Sequence, residues 1–329
     1  MTKYKPLILL ILFGLAAGIV LVEAALSFFL PLKMFYGLNV STYGHEYELA
    51  ENRRLIYVPV PNSYVSNPYS EVLNSYGHRG PAFPFAKGNK KRIVFMGDSV
   101  VEGLFVAANE RFTDFLNARF GGEYEIVNLG VCGYSLEQEF EYFKLKGMKF
   151  SPDYVIWGIT CNDLMLNAGE IDLFNEKMAS GRKSGFYKNY FKAKTSLEKF
   201  LYSFNIYRLI IYLKVANSQK VFTNDEKDRD YNLGPAQVND LLLQLKALSR
   251  KQNFKLEFLF LPVNTDLYRS EIQTLRETVE KNGIQCVDMR DAFPQAEAKS
   301  LFFDRLHFTR EGHRRLAEAL YEKRGLMGL

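Results

Sequence analysis

The sequence predicts a doubly wound α/β domain, a parallel sheet covered by helices on both faces, preceded by an N-terminal membrane helix. Three observations carry this reading. Five short apolar runs alternate with helical patterns from residue 91 onward, as they do when parallel strands are joined by helical crossovers. The polar clusters after these runs collect serine, glycine, asparagine, aspartate and histidine, residues of catalytic type, at what such folds make one edge of the sheet. Residues 6–32 are a separate material, PLILLILFGLAAGIVLVEAALSFFLPL, with Glu23 as its one charge.

That apolar run comes first in the chain. At about 1.5 Å per residue it is long enough to cross a hydrocarbon core of about 30 Å. Lys3 and Lys5 precede it closely, whereas Lys33 stands alone after it, so the positive-inside rule favours a cytoplasmic N-terminus. The expectation is a single-pass anchor in the cell membrane, residues 1–32, with the rest of the chain extracytoplasmic. A cleaved signal peptide is the rival, because Val22-Glu23-Ala24 places small residues near a cleavage site, but the apolar run continues past it. Glu23 is tolerable near the outer interface or against a partner helix.

Residues 33–90 are rich in Tyr, Asn, Ser, Pro and Gly, and NSYGHRGPAFP at 74–84 reads as turns, so the segment is expected to be an extracytoplasmic connector with little regular structure. Strands are expected at 91–97, 124–131, 153–160, 255–263 and 284–290, each an apolar run bounded by turn residues. Helical spacing marks 110–119, 135–147, 236–252, 267–281 and 310–324. Between the third strand and the helix at 236 lies an insert, about 164–235, too long to be a plain loop. In it Leu197, Phe200, Leu201, Phe204, Ile211 and Val215 fall on one helical stripe that only Arg208 interrupts, and from Lys177 to Lys220 there are ten Lys or Arg against the single acid Glu198. The insert reads as a basic helical cover over a domain spanning 91–329.

Composition excludes several classes. The 329 residues, 47% hydrophobic, suffice for a substantial core and rule out a disordered chain. With 42 Lys+Arg against 37 Asp+Glu, overall charge gives no argument for nucleic acid. Cys132, Cys161 and Cys286 lack CxxC spacing, imply neither a disulfide framework nor a zinc site, and read as buried packing. No GxxxxGK[ST] or GxGxxG run follows a strand, so no nucleotide cofactor is expected, and Asp304, His307 and His313 lack a familiar metal-ligand spacing.

The first strand, KRIVFM, stops at Gly97-Asp98-Ser99, and such residues form ordinary turns as readily as sites. The residues at the ends of the other strands decide the matter. A serine becomes a nucleophile when a base removes its proton and a third group fixes that base. His307 is the best base: His45 and His78 sit in the connector, His313 leads into the helix RRLAEALYEKR in an expected exposed or capping role, and only His307 has a carboxylate, Asp304, three residues before it. Oxyanion donors are available from the Ser99 N–H, the Gly133 N–H in NLGVCGYS and the Asn162 amide in GITCNDL, although Gly133 alone could be a plain turn and Asn162 a helix cap.

The set Gly97-Asp98-Ser99, Gly133, Asn162 and Asp304-x-x-His307 resembles the four blocks of the SGNH/GDSL hydrolase superfamily, over roughly residues 91–329 apart from the insert. The resemblance implies a flavodoxin-like three-layer α/β/α fold with a five-stranded parallel sheet. It implies Ser99 as nucleophile, His307 as base, Asp304 as its orienter, and an oxyanion hole from Ser99, Gly133 and Asn162. NSYGHRGPAFP resembles the stretch ahead of the serine block in membrane-anchored bacterial members. Val100 departs from the Leu of the family name, and Cys132 and Cys161 occupy places often held by other small residues. The common α/β-hydrolase elbow, G-x-S-x-G, is disfavoured because residue 101 is Val. The expected activity is a serine-dependent esterase on O-acyl groups, acetyl foremost, of envelope or secreted carbohydrate, with lipid esters behind. An O-acyltransferase with the same triad and a non-catalytic membrane-tethered binding module are the alternatives.

Overall fold

In the computed structural model the described residues are 5–29, 47–52, 54–55, 57–63, 71–164, 204, 206, 233–266 and 269–329. They belong to two compact units, Met1–His45 with Gly185–Glu226, and Glu46–Ser184 with Lys227–Leu329. His45 and most of the insert, including Leu197, Phe200, Leu201, Arg208, Ile211 and Val215, lie outside the described residues.

In the first unit, helix α1 (Lys5–Phe29) runs for 25 residues. Glu23 on it accepts the backbone N–H of Ile206 at 3.0 Å, so the one charge of the apolar run has a partner in the insert. Among the described residues no helix is long and apolar enough to cross a membrane. The span expected within residues 1–32 is thus not found among the described residues, although α1 occupies most of that stretch.

The second unit opens with a two-stranded antiparallel hairpin, β1 (Tyr47–Leu49) and β2 (Tyr57–Pro59), in which Tyr47 pairs Pro59 and Leu49 pairs Tyr57. The main sheet comprises β3 (Lys91–Met96), β4 (Tyr124–Asn128), β5 (Tyr154–Ile159), β6 (Lys255–Phe260) and β7 (Gln285–Asp288). Its order is β4-β3-β5-β6-β7 and every pairing is parallel. The helices are α2 (Ser99–Glu102), α3 (Phe112–Arg119), α4 (Leu136–Leu145), α5 (Pro235–Gln252), α6 (Arg269–Lys281), α7 (Ala298–Leu301) and α8 (Arg310–Glu322).

Burial explains why the strands read as continuous apolar runs rather than alternating ones. Every residue of β5 is buried, because helices cover both faces. On one face α3 packs against α8 over Ile93, Phe95, Ile156, Leu116, Leu316 and Leu320. On the other, Trp157 meets the rings of Phe143 from α4, Phe258 from β6 and, through Phe143, Phe254. The order reverses at β3, which has β4 on one side and β5 on the other. A crevice therefore opens outside the carboxyl end of β3, where Ser99 begins α2.

The sequence placed the five strands of the main sheet and helices α3, α4, α5, α6 and α8 to within a few residues, and did not anticipate β1, β2, α2 or α7. Its second strand ends early, at Asn128, but the pairing continues as Leu129 N–H to Phe95 C=O and Val131 N–H to Gly97 C=O, which draws the following loop alongside Ser99. The connector expectation needs correction. From Glu46 onward the segment belongs to the second compact unit, with Tyr47, Leu55, Tyr57, Leu73, His78 and Arg79 buried. Arg79 donates to the carbonyls of Gly103 and Val106, at 2.5 Å each, and to Glu71 Oε2 at 2.8 Å, so a buried cation secures the chain beyond the Ser99 helix. The cysteine expectation of buried packing holds for Cys161 alone; Cys132 and Cys286 are half-buried.

Candidate active site

Gly97 and Asp98 shape the turn that presents Ser99. Gly97 has φ +155°, and a Cβ there would meet the Val101 side chain, so the strand can turn into α2 only with glycine. Asp98, fully buried, caps α2 by accepting the Val100 N–H at 2.9 Å. Ser99 is thereby fixed at a helix N-terminus, with its hydroxyl 2.8 Å from His307 Nε2.

His307 arrives from the loop between α7 and α8. Its Nδ1 lies 2.8 Å from Asp304 Oδ2, while Asp304 Oδ1 accepts the N–H groups of Leu306 and His307, each at 2.8 Å. The Asp-x-x-His spacing works because one carboxylate oxygen closes the turn and leaves the other for the imidazole. With the proton on Nδ1 donated to Asp304, Nε2 is left to accept from Ser99. Burial pushes the Asp304 carboxyl up, but the bonds from His307 and Leu306 outweigh it and hold the group below its ordinary value. Phe105 packs edge-on against the imidazole at 4.7 Å and stacks on Phe303 at 4.4 Å, which confines the ring.

The oxyanion candidates converge on the same crevice. Gly133 has φ +78°, left-handed backbone that glycine adopts without strain. Neither its N–H nor that of Ser99 has an acceptor among the described hydrogen bonds. Asn162 is oriented from both ends: its Oδ1 accepts from the Thr160 hydroxyl at 2.7 Å, and its Nδ2 donates to Asp98 Oδ2 at 3.0 Å. An amide nitrogen carries two hydrogens, so one remains for a ligand. Asn162 is thus neither a helix cap nor a loose loop residue.

Several supporting groups were not legible in the sequence. Glu102, buried on α2, accepts the Cys132 N–H at 2.7 Å and links the Ser99 helix to the Gly133 loop. Burial pushes its carboxyl up to about 7 against the pull of Arg79. Beneath Asn162, Asp163 accepts the Thr160 N–H at 2.5 Å, and Glu139 accepts the Trp157 indole N–H at 2.5 Å. Burial raises both carboxyls well above the ordinary range, with repulsion from Asp98 adding to it at Glu139 and repulsion from Glu139 and then Asp98 adding to it at Asp163.

The exposed or capping role expected of His313 is overturned. The residue is buried on α8, its Nδ1 accepts the Phe112 N–H at 3.2 Å, and burial holds it neutral, with its pKa pushed down to about 3. His78 is likewise buried and neutral, at about 3. A cavity of about 480 Å³ opens at the carboxyl ends of β5 and β6; Thr160, Cys161, Asn264, Arg269, Arg290 and Phe302 are among its walls, and it shares Thr160 and Cys161 with the Asn162 loop. Among the described residues there is no cluster of three metal-ligating side chains.

With this geometry in place, comparison with known proteins adds one strong match. The model of the GDSL-like lipase/acylhydrolase family matches residues 95–315. No curated protein sequence matches significantly. Among solved structures, similar ones include LAE5, an alpha/beta hydrolase from the metagenome of Lake Arreo, Spain, at 17% identity and TM-score 0.46, covering 74% of this chain and 98% of that one. The acetyl xylan esterase AlAXEase matches at 14% identity and TM-score 0.42, with 70% and 98% covered. A lipase/acylhydrolase from Enterococcus faecalis matches at 14% and 0.43, with 71% and 96% covered. At such values the structural likenesses carry no argument about substrate.

Proposed function

The chain belongs to the GDSL-like lipase/acylhydrolase family, a family of ester hydrolases, and from that premise we propose that it cleaves O-acyl esters through an acyl-enzyme on Ser99. The observation that supports this best is the hydrogen-bonded line Ser99 Oγ, His307 Nε2, His307 Nδ1, Asp304 Oδ2, with 2.8 Å at each contact. In the proposed mechanism Ser99 Oγ attacks the ester carbonyl as Nε2 takes its proton, and the Asp304 carboxylate steadies the imidazolium. The oxyanion is held by the Ser99 and Gly133 N–H groups and the free hydrogen of the Asn162 amide. Nε2 then protonates the departing alcohol, and water activated by the same nitrogen releases the acid.

The acyl group we infer is short, acetyl foremost, and the alcohol a carbohydrate of the envelope or of a secreted polymer. What supports the carbohydrate is the address inferred from the N-terminal run: a single-pass anchor, residues 1–32, with the catalytic domain extracytoplasmic. The basic insert at about 164–235, read from the sequence as a cover, lies almost wholly outside the described residues. Transfer to a sugar hydroxyl would use the same acyl-enzyme and differ only in the attacking group. Two measurements test the reading. A fluorophosphonate probe labels the wild type and spares Ser99→Ala; equal labelling of both removes Ser99 as nucleophile. Product analysis with a small acyl ester, with and without a glycan acceptor, yields free acid in both cases if hydrolysis is the activity and acylated glycan if transfer is.

A further inference from the structure

We propose that Tyr57, on the hairpin ahead of the main sheet, is a positioning residue that aims the Gly133 N–H into the oxyanion site; the inference rests on the esterase reading above. Tyr57 Oη donates to the Cys132 carbonyl at 2.6 Å, across 75 positions of chain. That carbonyl and the Gly133 N–H are the two ends of one peptide unit. A trans peptide is planar and its C=O and N–H point in opposite directions, so fixing the oxygen fixes the direction of the hydrogen. The preceding peptide is fixed as well, because the Cys132 N–H is donated to Glu102 Oε2 at 2.7 Å. Cys132 is therefore held at its nitrogen by the nucleophile helix and at its oxygen by the hairpin.

The glycine itself records the contact. A Cβ on Gly133 would lie 2.9 Å from Tyr57 Oη, so the hydroxyl packs against the α-carbon and leaves no space for a side chain. Tyr57 has little freedom to move away. It is buried, its ring sits 5.1 Å from those of Tyr47 and Tyr134, and its own carbonyl accepts the Tyr134 hydroxyl at 2.5 Å. Gln138 Nε2, on α4, donates to the Leu55 carbonyl at 2.9 Å and ties the hairpin down beside the loop it aligns. A hydrogen bond on a peptide carbonyl also polarises the unit and makes its N–H a better donor. Orientation and polarisation act together on the Gly133 hydrogen.

An oxyanion donor is used most fully in the transition state, so misaiming it lowers kcat and leaves KM nearly unchanged. Deleting a whole donor costs roughly 10²–10³ in turnover. Loss of its alignment alone should cost about 10-fold. Tyr57→Phe keeps the ring and removes only the hydroxyl. With p-nitrophenyl acetate it is expected to lower kcat about 10-fold with KM within about twofold, and to weaken binding of a trifluoromethyl ketone, which forms a tetrahedral oxyanion on Ser99, by the same factor. Tyr154→Phe is the control, since it deletes another phenol–carbonyl bond, to Gly328 at 3.0 Å, and should change neither parameter. Replacing Tyr57 with 3-fluorotyrosine, a stronger donor of nearly the same shape, should hold or raise kcat, and this arm stands even if Tyr57→Phe fails to fold. Wild-type kcat and ketone affinity in folded Tyr57→Phe, or a lower kcat with 3-fluorotyrosine, overturn the inference and leave the esterase reading intact. A wild type that neither turns over the ester nor reacts with fluorophosphonate overturns the esterase reading and the inference with it.

Discussion

Asp98 Oδ2 accepts the Asn162 side-chain amide at 3.0 Å, which joins the acid of the Ser99 turn to the loop after β5 across 64 positions of chain. The two residues are one unit. Asn162→Ala removes a donor while Asp98 keeps its bond to the Val100 N–H and can take the Thr160 hydroxyl hydrogen that Asn162 Oδ1 releases, so turnover should fall roughly 10²–10³-fold with little loss of stability. Asp98→Ala should do both kinds of damage, because buried donors lose their acceptor at about 1–3 kcal/mol each. Steady-state kinetics beside thermal unfolding of both variants checks the split; an Asn162→Ala enzyme with wild-type turnover would return the amide to a purely structural role.

Asp304→Asn is expected to be isosteric in the turn and defective at the ring. The asparagine oxygen can still accept the Leu306 and His307 N–H groups, but the amide has no charge with which to steady an imidazolium and can force the wrong tautomer. Turnover should drop by about 10²–10⁴ while the unfolding midpoint stays close to wild type. Single-turnover labelling by fluorophosphonate should slow in parallel. If labelling keeps its rate, Asp304 orients nothing that matters to Ser99.

The parts of this site that could be read from sequence are those with a local signature. Gly97-Asp98-Ser99 ends an apolar run, and Asp304-x-x-His307 closes on itself within one turn, so each announces itself within a few residues. Tyr57 has no such signature. Its hairpin strands are three residues each, too short for a period, and its partner Cys132 is 75 positions away. Nothing in the sequence singles out Glu102, Glu139 and Asp163, because it does not state which faces of helix and turn are covered on both sides. His313 could have been recognised: His313, Leu316, Ala317 and Leu320 share one buried face of α8, and the histidine falls on that stripe.

Glu257 gives the fold a pH dependence of definite sign. On β6 it is buried, and its Oε2 has no hydrogen-bond partner among the described residues. Burial pushes the carboxyl from about 4.5 up to about 8, with Lys255 pulling back. A folded-state value above the unfolded one means the native protein holds the proton more tightly, so this contribution to stability is complete below about 4.5 and is lost as pH rises to about 8. Glu257→Gln removes the titration. Thermal midpoints between pH 5 and 8.5 should therefore fall less steeply in the variant than in the wild type, and equal slopes would mean that Glu257 is solvated and ordinary.

The last expectation concerns the N-terminal helix. A carboxylate inside an apolar run is costly in hydrocarbon unless it meets a donor, and Glu23 meets the Ile206 N–H at 3.0 Å. If α1 is the anchor, this bond forms where water is scarce, and Glu23→Ala leaves the Ile206 N–H with no acceptor while Glu23→Gln preserves one. The alanine variant should therefore unfold at a lower temperature than the wild type, whereas the glutamine variant should match it. The same chain fused at its C-terminus to a reporter should be active only with one that works outside the cytoplasm. A chain lacking residues 1–32 should leave the membrane fraction and keep its activity on a small ester, because Ser99, His307 and Asp304 all lie in the other compact unit. An active cytoplasmic reporter would invert the topology, and a mature N-terminus near Ala25 would show that the helix is cleaved rather than retained.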